Sequence, residues 1–341
     1  LVDTFDSLVL FGGVMLLGFW IFVYNILRTM APLGSYDITE RHFLVSLGFF
    51  LVVTVLGFLL ALDFSMPVFD GTRFLRTELV LTHATFAVFG AVMTTVYGAL
   101  YQLGTMFTQT ELHGIDTHLR PIEEVGHPTG VVLLAIGRLL NDVLLARIGG
   151  ILVLAGALAF GTILARKLFE MQVEWNPMHT RYAIAVPGLL GWGLLSIPAW
   201  VRAPLAPIHL FGAAGSVHLL VLGAIGFVVF GTLYHIVPFI IWVHRYSDRL
   251  GFEDVPMIDD LYDDRLAALD GTLLVTGTLL LVATDLLSLP TLLEGAAGVL
   301  IGISVLAFAT NMWLVVRDHS PYTVGQILLG SLYWESTGSG E

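Results

Sequence analysis

Two histidines stand in apolar stretches that are long enough to cross a membrane. His83 lies in the run 77–106, and His218 lies in the run between Pro207 and Pro238. An imidazole in hydrocarbon is costly without a partner, so each is a candidate for a functional site. The chemistry open to such a residue is metal ligation through a ring nitrogen, or proton transfer. The alternative is a core histidine that is hydrogen-bonded to a neighbouring helix.

A short repeat follows each histidine. Residues 90–101 read GAVMTTVYGALY and residues 223–234 read GAIGFVVFGTLY, so Gly, Ala, Val, Gly, Leu and Tyr recur at the same offsets. His83 precedes its copy by seven residues and His218 precedes its own by five. This difference is only about 3 Å of depth along a helix. The two imidazoles are therefore predicted to lie at nearly the same level of the membrane.

Two histidines at one level suit the two axial positions of a haem. Gly90 and Gly223 would let a flat macrocycle, or another backbone, approach closely. The chain has no cysteine, which excludes iron–sulfur clusters, thiolate ligation and covalent haem attachment by this chain. A haem would be held by histidine or methionine. The same small-residue pattern is also typical of ordinary helix packing in membranes.

Composition places the chain in a membrane. Hydrophobic residues make up 56% of it and charged residues 12%, and the mean hydropathy is +0.86, which excludes a soluble globular domain. The excess of 27 acidic over 15 basic residues argues against nucleic acid as a partner and against a polybasic lipid-binding surface. Phosphate-binding loops, dinucleotide fingerprints and zinc-protease motifs are missing from the sequence, which argues against hydrolytic or nucleotide-dependent catalysis.

We predict an all-α polytopic bundle that forms one integral membrane domain over 1–341, with a flexible tail at 335–341. Segment 128–145 is ambiguous, because Arg138 and Asp142 interrupt it. Four residues apart, these two could neutralise each other inside a span; the alternative is an interfacial helix. Apolar runs of about 20 residues mark eight clear spans: 7–28, 41–62, 77–106, 149–166, 181–201, 206–243, 267–288 and 292–316.

The distribution of basic residues favours nine spans over eight. With 128–145 as a span, the loops of one side hold most of the arginines and Lys167, and the other side keeps only Arg73, Arg76, Arg147 and Arg202. The N-terminus is then outside, and loops 107–127 and 244–266 are cytoplasmic. The helices of His83 and His218 run parallel, and both histidines fall in the outer half of the membrane.

Two clusters of polar residues accompany this topology. Arg73, Arg76 and Arg202 lie on the outer face, where haem propionates would emerge, although ordinary headgroup-level arginines fit as well. Loop 107–127 holds several histidines and carboxylates, but the tight spacing of a metal site is absent, so a solvated loop is predicted.

Parts of the sequence resemble the catalytic subunits of haem–copper oxidases and nitric oxide reductases, especially the C-type oxidases. The stretches ITERHFLVSLGFFLVVTVLGFLLALDF and LVLTHATFAVFGAVMTTVYGALY resemble the first two helices of that fold. In the superfamily the second helix carries a ligand of the low-spin haem, and His83 falls on that position. SVHLLVLGAIGFVVFGTLYHIVP resembles the other histidine helices. The resemblance implies a haem–copper-oxidase-like bundle with pseudosymmetric repeats.

The sequence departs from that superfamily at the copper site. Ser216 stands where the first histidine of a His-x-His pair would be, and 267–288 lacks the histidines that would ligate copper. Copper, and reduction of oxygen to water, are therefore not expected.

The favoured interpretation is a b-type haem-binding subunit that transfers electrons within a respiratory redox complex. One haem b, with room for a second, would be ligated by His83 and His218. The chain would be a multi-pass protein of a prokaryotic plasma membrane. Its expected partners are the lipid bilayer, other membrane or extracytoplasmic redox subunits, and quinol or an external cupredoxin or cytochrome.

Two alternatives stay open. The first is a gas-binding relative of nitric oxide reductase with a five-coordinate haem, whose second site would use His209, His235 or His127. The second is a haem-free transporter in which His218, Arg138, Asp142 and Asp285 relay protons.

Overall fold

The computed structural model describes residues 4–287 and 289–329, and the predicted tail at 335–341 lies outside them. Within these ranges the regular structure is helical, with no strand. The α-helices are α1 (Thr4–Met30), α2 (Ile38–Leu62), α3 (Arg76–Thr85), α4 (Thr94–Thr108), α5 (Asp116–Pro121), α6 (His127–Leu140), α7 (Val143–Phe169), α8 (Pro177–Arg202), α9 (Phe227–Arg245), α10 (Asp264–Leu287), α11 (Thr291–His319) and α12 (Val324–Leu329). Three π-helical stretches join some of them: π1 (Phe86–Met93), π2 (Ile122–Gly126) and π3 (Leu219–Gly226).

Eight helical segments of the described chain are long and apolar enough to cross a membrane, which confirms the all-α polytopic bundle. They are Ser7–Met30, Ile38–Leu62, Arg76–Thr108, Val143–Phe169, Pro177–Arg202, Leu219–Arg245, Asp264–Leu287 and Thr291–His319.

The predicted segment 128–145 is not one helix. α6 ends where Asn141 adopts a left-handed conformation (φ 55°), and Asp142 then caps α7. The Asp142 carboxylate accepts the backbone N–H groups of Leu144 and Leu145 at 2.9 and 3.0 Å. The expected neutralisation of Arg138 by Asp142 is therefore wrong, because the carboxylate satisfies the first turn of a new helix instead.

The predicted loop 107–127 is also largely helical. α4 continues to Thr108, and from Asp116 onward α5, π2 and α6 form one continuous helix to Leu140. Asp116, Glu123 and His127 are fully buried rather than solvated. Hydropathy alone could not find this helix, because these buried polar residues make the segment resemble a solvated loop.

The predicted span 206–243 begins later than expected. A 3₁₀ turn, Pro207–His209, is followed by irregular backbone in which Gly212 and Gly215 adopt φ values of 111° and 79°. Such φ values are accessible to glycine at little cost. His218 consequently lies directly before π3, at the beginning of a helix and not in the middle of one.

The described chain divides into two compact units. One comprises Leu1–Val173 and Val186–Ile225, and the other comprises Glu174–Ala185 and Gly226–Glu341. In the first, Phe89 packs against the indoles of Trp192 and Trp200, with ring centroids 5.7 and 5.4 Å apart. In the second, Tyr234 and Phe308 belong to the buried core.

The two copies of the sequence repeat have the same unusual backbone. π1 and π3 each contain eight residues. They also occupy the same register, because Gly90 is the fifth residue of π1 and Gly223 the fifth of π3. An α-helix continues from each. π-Helical turns are rare and concentrate at functional sites, so their recurrence at matching positions indicates a duplicated segment.

Matched aromatic contacts extend this duplication. The ring centroid of Phe160 in α7 lies 4.5 Å from that of Tyr97. It lies 5.2 Å from the ring centroid of Tyr101, with which it makes an edge contact. Phe308 of α11 lies 4.4 Å from Phe230, the counterpart of Tyr97. Its edge contact with Tyr234, the counterpart of Tyr101, measures 5.3 Å.

We therefore describe two halves, each built from four helical segments. The first half consists of α2, Arg76–Thr108, Asp116–Leu140 and α7. The second consists of α8, Leu219–Arg245, α10 and α11. The counterpart of Asp116–Leu140 is thus the apolar span α10. A ninth crossing, and the side of the membrane on which each loop lies, stay predictions.

Close backbone contact within the α6–α7 hairpin generates a test of the packing. A Cβ atom added at Gly130 would lie 2.7 Å from the backbone nitrogen of Val153 and 2.8 Å from the carbonyl oxygen of Gly149. Backbone atoms cannot yield as a side-chain end can. Gly130→Ala should therefore destabilise the protein by about 1–3 kcal/mol and lower its thermal midpoint in detergent.

Gly126 provides the matched control in the same helix. A Cβ there would meet nothing within 4 Å, so Gly126→Ala should leave the thermal midpoint unchanged or raise it slightly. Equal midpoints for the two variants would contradict the close packing.

Candidate functional site

His83 lies in the wall of an apolar pocket between α1, α2 and α3. The pocket has a volume of about 490 Å³, and its walls include Phe11, Phe19, Phe50 and Phe58. This volume is within the usual range for a small-molecule or cofactor site, roughly 300–1,000 Å³. An apolar molecule with one ligating group fits such a lining.

The His83 imidazole is held against α2 at Gly57. A Cβ atom at Gly57 would lie 3.1 Å from Cε1 of the ring. Nδ1 of His83 is buried and makes no well-formed hydrogen bond among the described residues, and the ring interacts with the backbone carbonyl of Val53. A buried polar atom without a partner costs roughly 1–3 kcal/mol. The His83 ring lines the pocket, so it is the group of this chain that a ligand there would meet.

Met15 also lines the pocket, and its side chain carries a thioether sulfur. Its thioether and the His83 imidazole are both established haem ligands. The pocket also contains Thr54, but its hydroxyl accepts from Trp20 at 3.3 Å and donates to the carbonyl of Leu51 at 2.8 Å.

The structure does not bring His218 into this pocket. None of the residues that line it comes from the helix of His218. In the register set by π1 and π3, Ser216 takes the place of His83, and His218 takes the place of Thr85. Two positions along a helix turn a side chain by about 200°. Ligation of one iron by both histidines stays a prediction.

The three arginines predicted to meet haem propionates have other surroundings. Arg76 donates to the carboxylate of Asp63 at 2.6 Å and to the carbonyl of Leu60 at 3.0 Å, and so ties α3 to the end of α2. Arg73 and Arg202 are exposed. None of the three lines the His83 pocket.

The two glycines of the repeat make room for protein atoms. A Cβ at Gly90 would lie 2.7 Å from Cγ of Phe49, so that ring fills the space. At Gly223 a Cβ would lie 3.4 Å from the Cα of Gly188. Ordinary close helix packing therefore accounts for both positions.

The histidines of the predicted second site each have a contact of their own. Nε2 of His127 lies 2.8 Å from the carbonyl oxygen of Phe89. Nδ1 of His209 lies 3.1 Å from the carbonyl oxygen of Ala203. The ring of His235 stacks on Phe239. Over the described ranges, no three or more His, Asp or Glu side chains are grouped so that they could hold a metal ion.

No protein-family model matches this chain, and no curated protein is significantly similar to it. The resemblance to haem–copper oxidases therefore rests on the quoted stretches alone and stays a prediction.

A buried pair in the first half was not predicted. The Glu123 carboxylate lies 3.0 and 3.1 Å from Nε2 of His42. The exposed fraction is 2% for His42 and 0% for Glu123. The sequence prediction missed the pair because it placed Glu123 in a solvated loop.

The second half contains a buried cluster at the corresponding place. Arg181 of α8 donates to Asp270 of α10, and the Tyr234 hydroxyl donates to the other oxygen of that carboxylate. Asn311 donates to the Tyr234 hydroxyl at 3.1 Å. Asp270 and Asn311 lie in apolar runs, and a polar residue in such a run was the available signal.

Arg138 is buried without a carboxylate partner in the described residues. Its guanidinium donates to the Thr85 hydroxyl at 2.6 Å and to the carbonyls of His209 and Pro204 at 3.2 and 3.3 Å. Its exposed fraction is 1%. The arginine therefore connects α6 to α3 and to the segment after α8. These hydrogen bonds give it a structural role.

A test of this role replaces Arg138 by Gln. The shorter, neutral side chain cannot serve all three acceptors, and hydrogen bonds to charged groups contribute roughly 1.5–3 kcal/mol each. Arg138→Gln should lower the thermal midpoint markedly, whereas Arg202→Gln at an exposed position should change stability by less than about 0.5 kcal/mol. Equal midpoints for the two variants would contradict the structural role.

A charge network at the end of α7 gives a pH dependence. Lys167, and then Arg166, donate to the Glu170 carboxylate and lower its pKa from 4.5 to about 2. A depressed pKa means that this carboxylate stabilises the fold fully above pH 4.5, and that the contribution is lost as the pH falls toward 2.

Glu170→Gln should therefore lower the thermal midpoint near neutral pH and flatten its decline in acid. Thermal unfolding of both proteins across this pH range measures the effect, with Glu174→Gln as the control. An unchanged acid decline in Glu170→Gln would contradict the assignment.

Proposed function

We propose that this multi-pass membrane protein binds a b-type haem through His83 and transfers electrons. The observation that carries the proposal is the position of the His83 imidazole in the wall of an apolar pocket of about 490 Å³. The donor set and the apolar lining fit a haem. The repeat in the sequence and the resemblance to haem–copper oxidases add independent support.

The residues of the pocket would have different roles in binding a haem. His83 would hold the iron, with its ring direction fixed by contact with Gly57. The surrounding phenyl rings would exclude water, which favours a low dielectric around the group. A bound haem would supply a one-electron couple within the membrane. Partners would be redox subunits of a respiratory complex in a prokaryotic plasma membrane, with quinol or an external cupredoxin or cytochrome as the donor.

Two residues of this chain are candidates for a second ligand to the iron of a bound haem. The repeat favours His218, whereas the pocket contains Met15. A six-coordinate haem with either ligand transfers electrons and does not bind gases.

Optical spectra of the purified full chain test the proposal. We expect a reducible b-type spectrum and a positive pyridine haemochrome, and we expect His83→Ala to lose most of the bound haem. His244→Ala, at an exposed histidine, is the control and should keep the spectrum. A colourless wild-type preparation, or an unchanged spectrum in His83→Ala, would overturn the proposal.

Two further variants identify the sixth ligand. Loss of the low-spin bands in His218→Ala supports the paired histidines, and their loss in Met15→Leu supports a His–Met haem. A carbon monoxide difference spectrum in the wild-type protein would instead indicate a five-coordinate haem and favour the gas-binding alternative.

Transport is the second candidate, and the internal duplication favours it, because transporters are often built from repeats. Asp142 caps α7, and Arg138 bonds the Thr85 hydroxyl and two backbone carbonyls, so these two of the four predicted relay residues have structural roles. A colourless protein that carries protons or solute across vesicles would support this function.

A further inference from the structure

We propose that the buried pair His42–Glu123 is a proton-binding site, in which one exchangeable proton lies between Nε2 of the imidazole and the carboxylate. The proposal does not depend on haem binding. It rests on hydrogen-bond geometry, on the surroundings of the pair and on a comparison with the second half.

The geometry requires a proton between the two side chains. Nδ1 of His42 lies 2.6 Å from the carbonyl oxygen of Ile38, which can only accept, so Nδ1 carries hydrogen. Nε2 faces the two oxygens of Glu123 at 3.0 and 3.1 Å. With Nδ1 protonated, a neutral imidazole has a lone pair on Nε2. If Glu123 were ionised as well, its oxygen lone pairs would face the Nε2 lone pair with no hydrogen between them. One further proton is therefore needed, on His42 or on Glu123.

Burial makes the proton necessary for charge as well. A carboxylate in a low-dielectric interior needs a counter-charge or a proton. The neighbouring arginines are committed elsewhere, since Arg41 and Arg120 bond Glu124 at 2.6 and 2.9 Å. The pair is therefore neutral with one proton and carries a net negative charge without it.

Two tyrosine hydroxyls lie near the pair. The hydroxyl of Tyr97 is buried and has no hydrogen-bond partner in the part of the chain that the structure describes. The ring of Tyr101 lies 5.3 Å from that of His42, and its hydroxyl is close enough to interact with Glu123. Rotation of such hydroxyls toward the carboxylate would stabilise the form that has released the proton.

The second half has an ion pair at the equivalent position, and that pair has no exchangeable proton of this kind. Glu123 and Asp270 each precede a close-packed glycine, Gly130 or Gly277, by the same number of residues, and so occupy equivalent positions. Asp270 is paired with Arg181, whose guanidinium does not deprotonate in proteins. That pair is permanent, whereas an imidazole in the first half makes the pair titratable.

A cleft of about 230 Å³ reaches His42. It is lined by His42, Thr94, Arg41 and Glu124 among others, and the Arg41 side chain is 41% exposed. Water in this cleft would exchange the proton. The titratable groups that face the pair are Arg41 from α2, Tyr97 and Tyr101 from α4, and Arg120, Glu124 and His127 from Asp116–Leu140; α7 presents the apolar Phe160.

The experiment locates the proton in the full chain in lipid nanodiscs at neutral pH. Nitrogen-15 NMR of labelled histidines reports the protonation of His42, and infrared spectroscopy reports a carboxylic acid at Glu123. We expect either a doubly protonated His42 or a carboxylic acid band. We also expect the signal to shift in D₂O, because the proton exchanges through the cleft. A singly protonated His42 with bare Nε2 beside an ionised Glu123 would overturn the proposal, as would a signal that does not exchange.

Variants assign these signals and supply the controls. Glu123→Gln should remove the carboxylic acid band and leave His42 singly protonated. His42→Gln should remove the histidine signal and leave Glu123 as a carboxylic acid, because the buried carboxylate then has no counter-charge. Asp270→Asn in the second half should leave both signals unchanged. His244 serves as reference, because its Nδ1 also faces a backbone carbonyl, that of Ile240 at 2.7 Å, but no described carboxylate contacts it. If Glu123→Gln fails to fold, Glu123→Asp assigns the band by its shift. A signal that persists in His42→Gln and in the Glu123 variant would contradict the assignment.

Discussion

A carboxylate buried among apolar helices must be neutralised, and this requirement organises both halves of the chain. Glu123 and Asp270 stand at equivalent positions, and each joins the third helix of its half to the first, through His42 or Arg181. Removing one partner from such a pair leaves an uncompensated buried charge, which costs roughly 3–5 kcal/mol. The pairs therefore restrict which helices can lie together.

The aromatic contacts around these pairs follow the same plan. Tyr101 and Tyr234 each lie beside the acid of their half, and each packs on a phenylalanine of the fourth helix. The first half pairs its acid with histidine and the second half with arginine, so the two pairs differ in their electrostatics. One copy of a common framework thus has a permanent ion pair, and the other has a pair that requires a proton.

The π-helical stretches show how the halves differ in chemistry. Because π1 and π3 are in the same register, the two copies can be aligned, and each histidine of one copy aligns with a serine or threonine of the other. His83 corresponds to Ser216, and His218 corresponds to Thr85. In this register the two histidines are two positions apart, which turns their side chains by about 200° relative to each other, so they have different surroundings. His83 has an apolar pocket, whereas His218 lies at the start of its helix.

Length and hydropathy were sufficient to predict the membrane bundle and its eight apolar spans, because burial in lipid imposes a composition that can be read locally. The helix Asp116–Leu140 and the break before His218 could not be read in this way. Glu123 is polar and yet buried, and Gly212 and Gly215 interrupt a run that hydropathy predicts to be one span. Which polar groups become partners depends on residues far apart in the chain, such as His42 and Glu123 or Arg138 and Pro204. Only the folded chain brings those atoms within hydrogen-bonding distance, so only the tertiary structure decided where the buried charges lie.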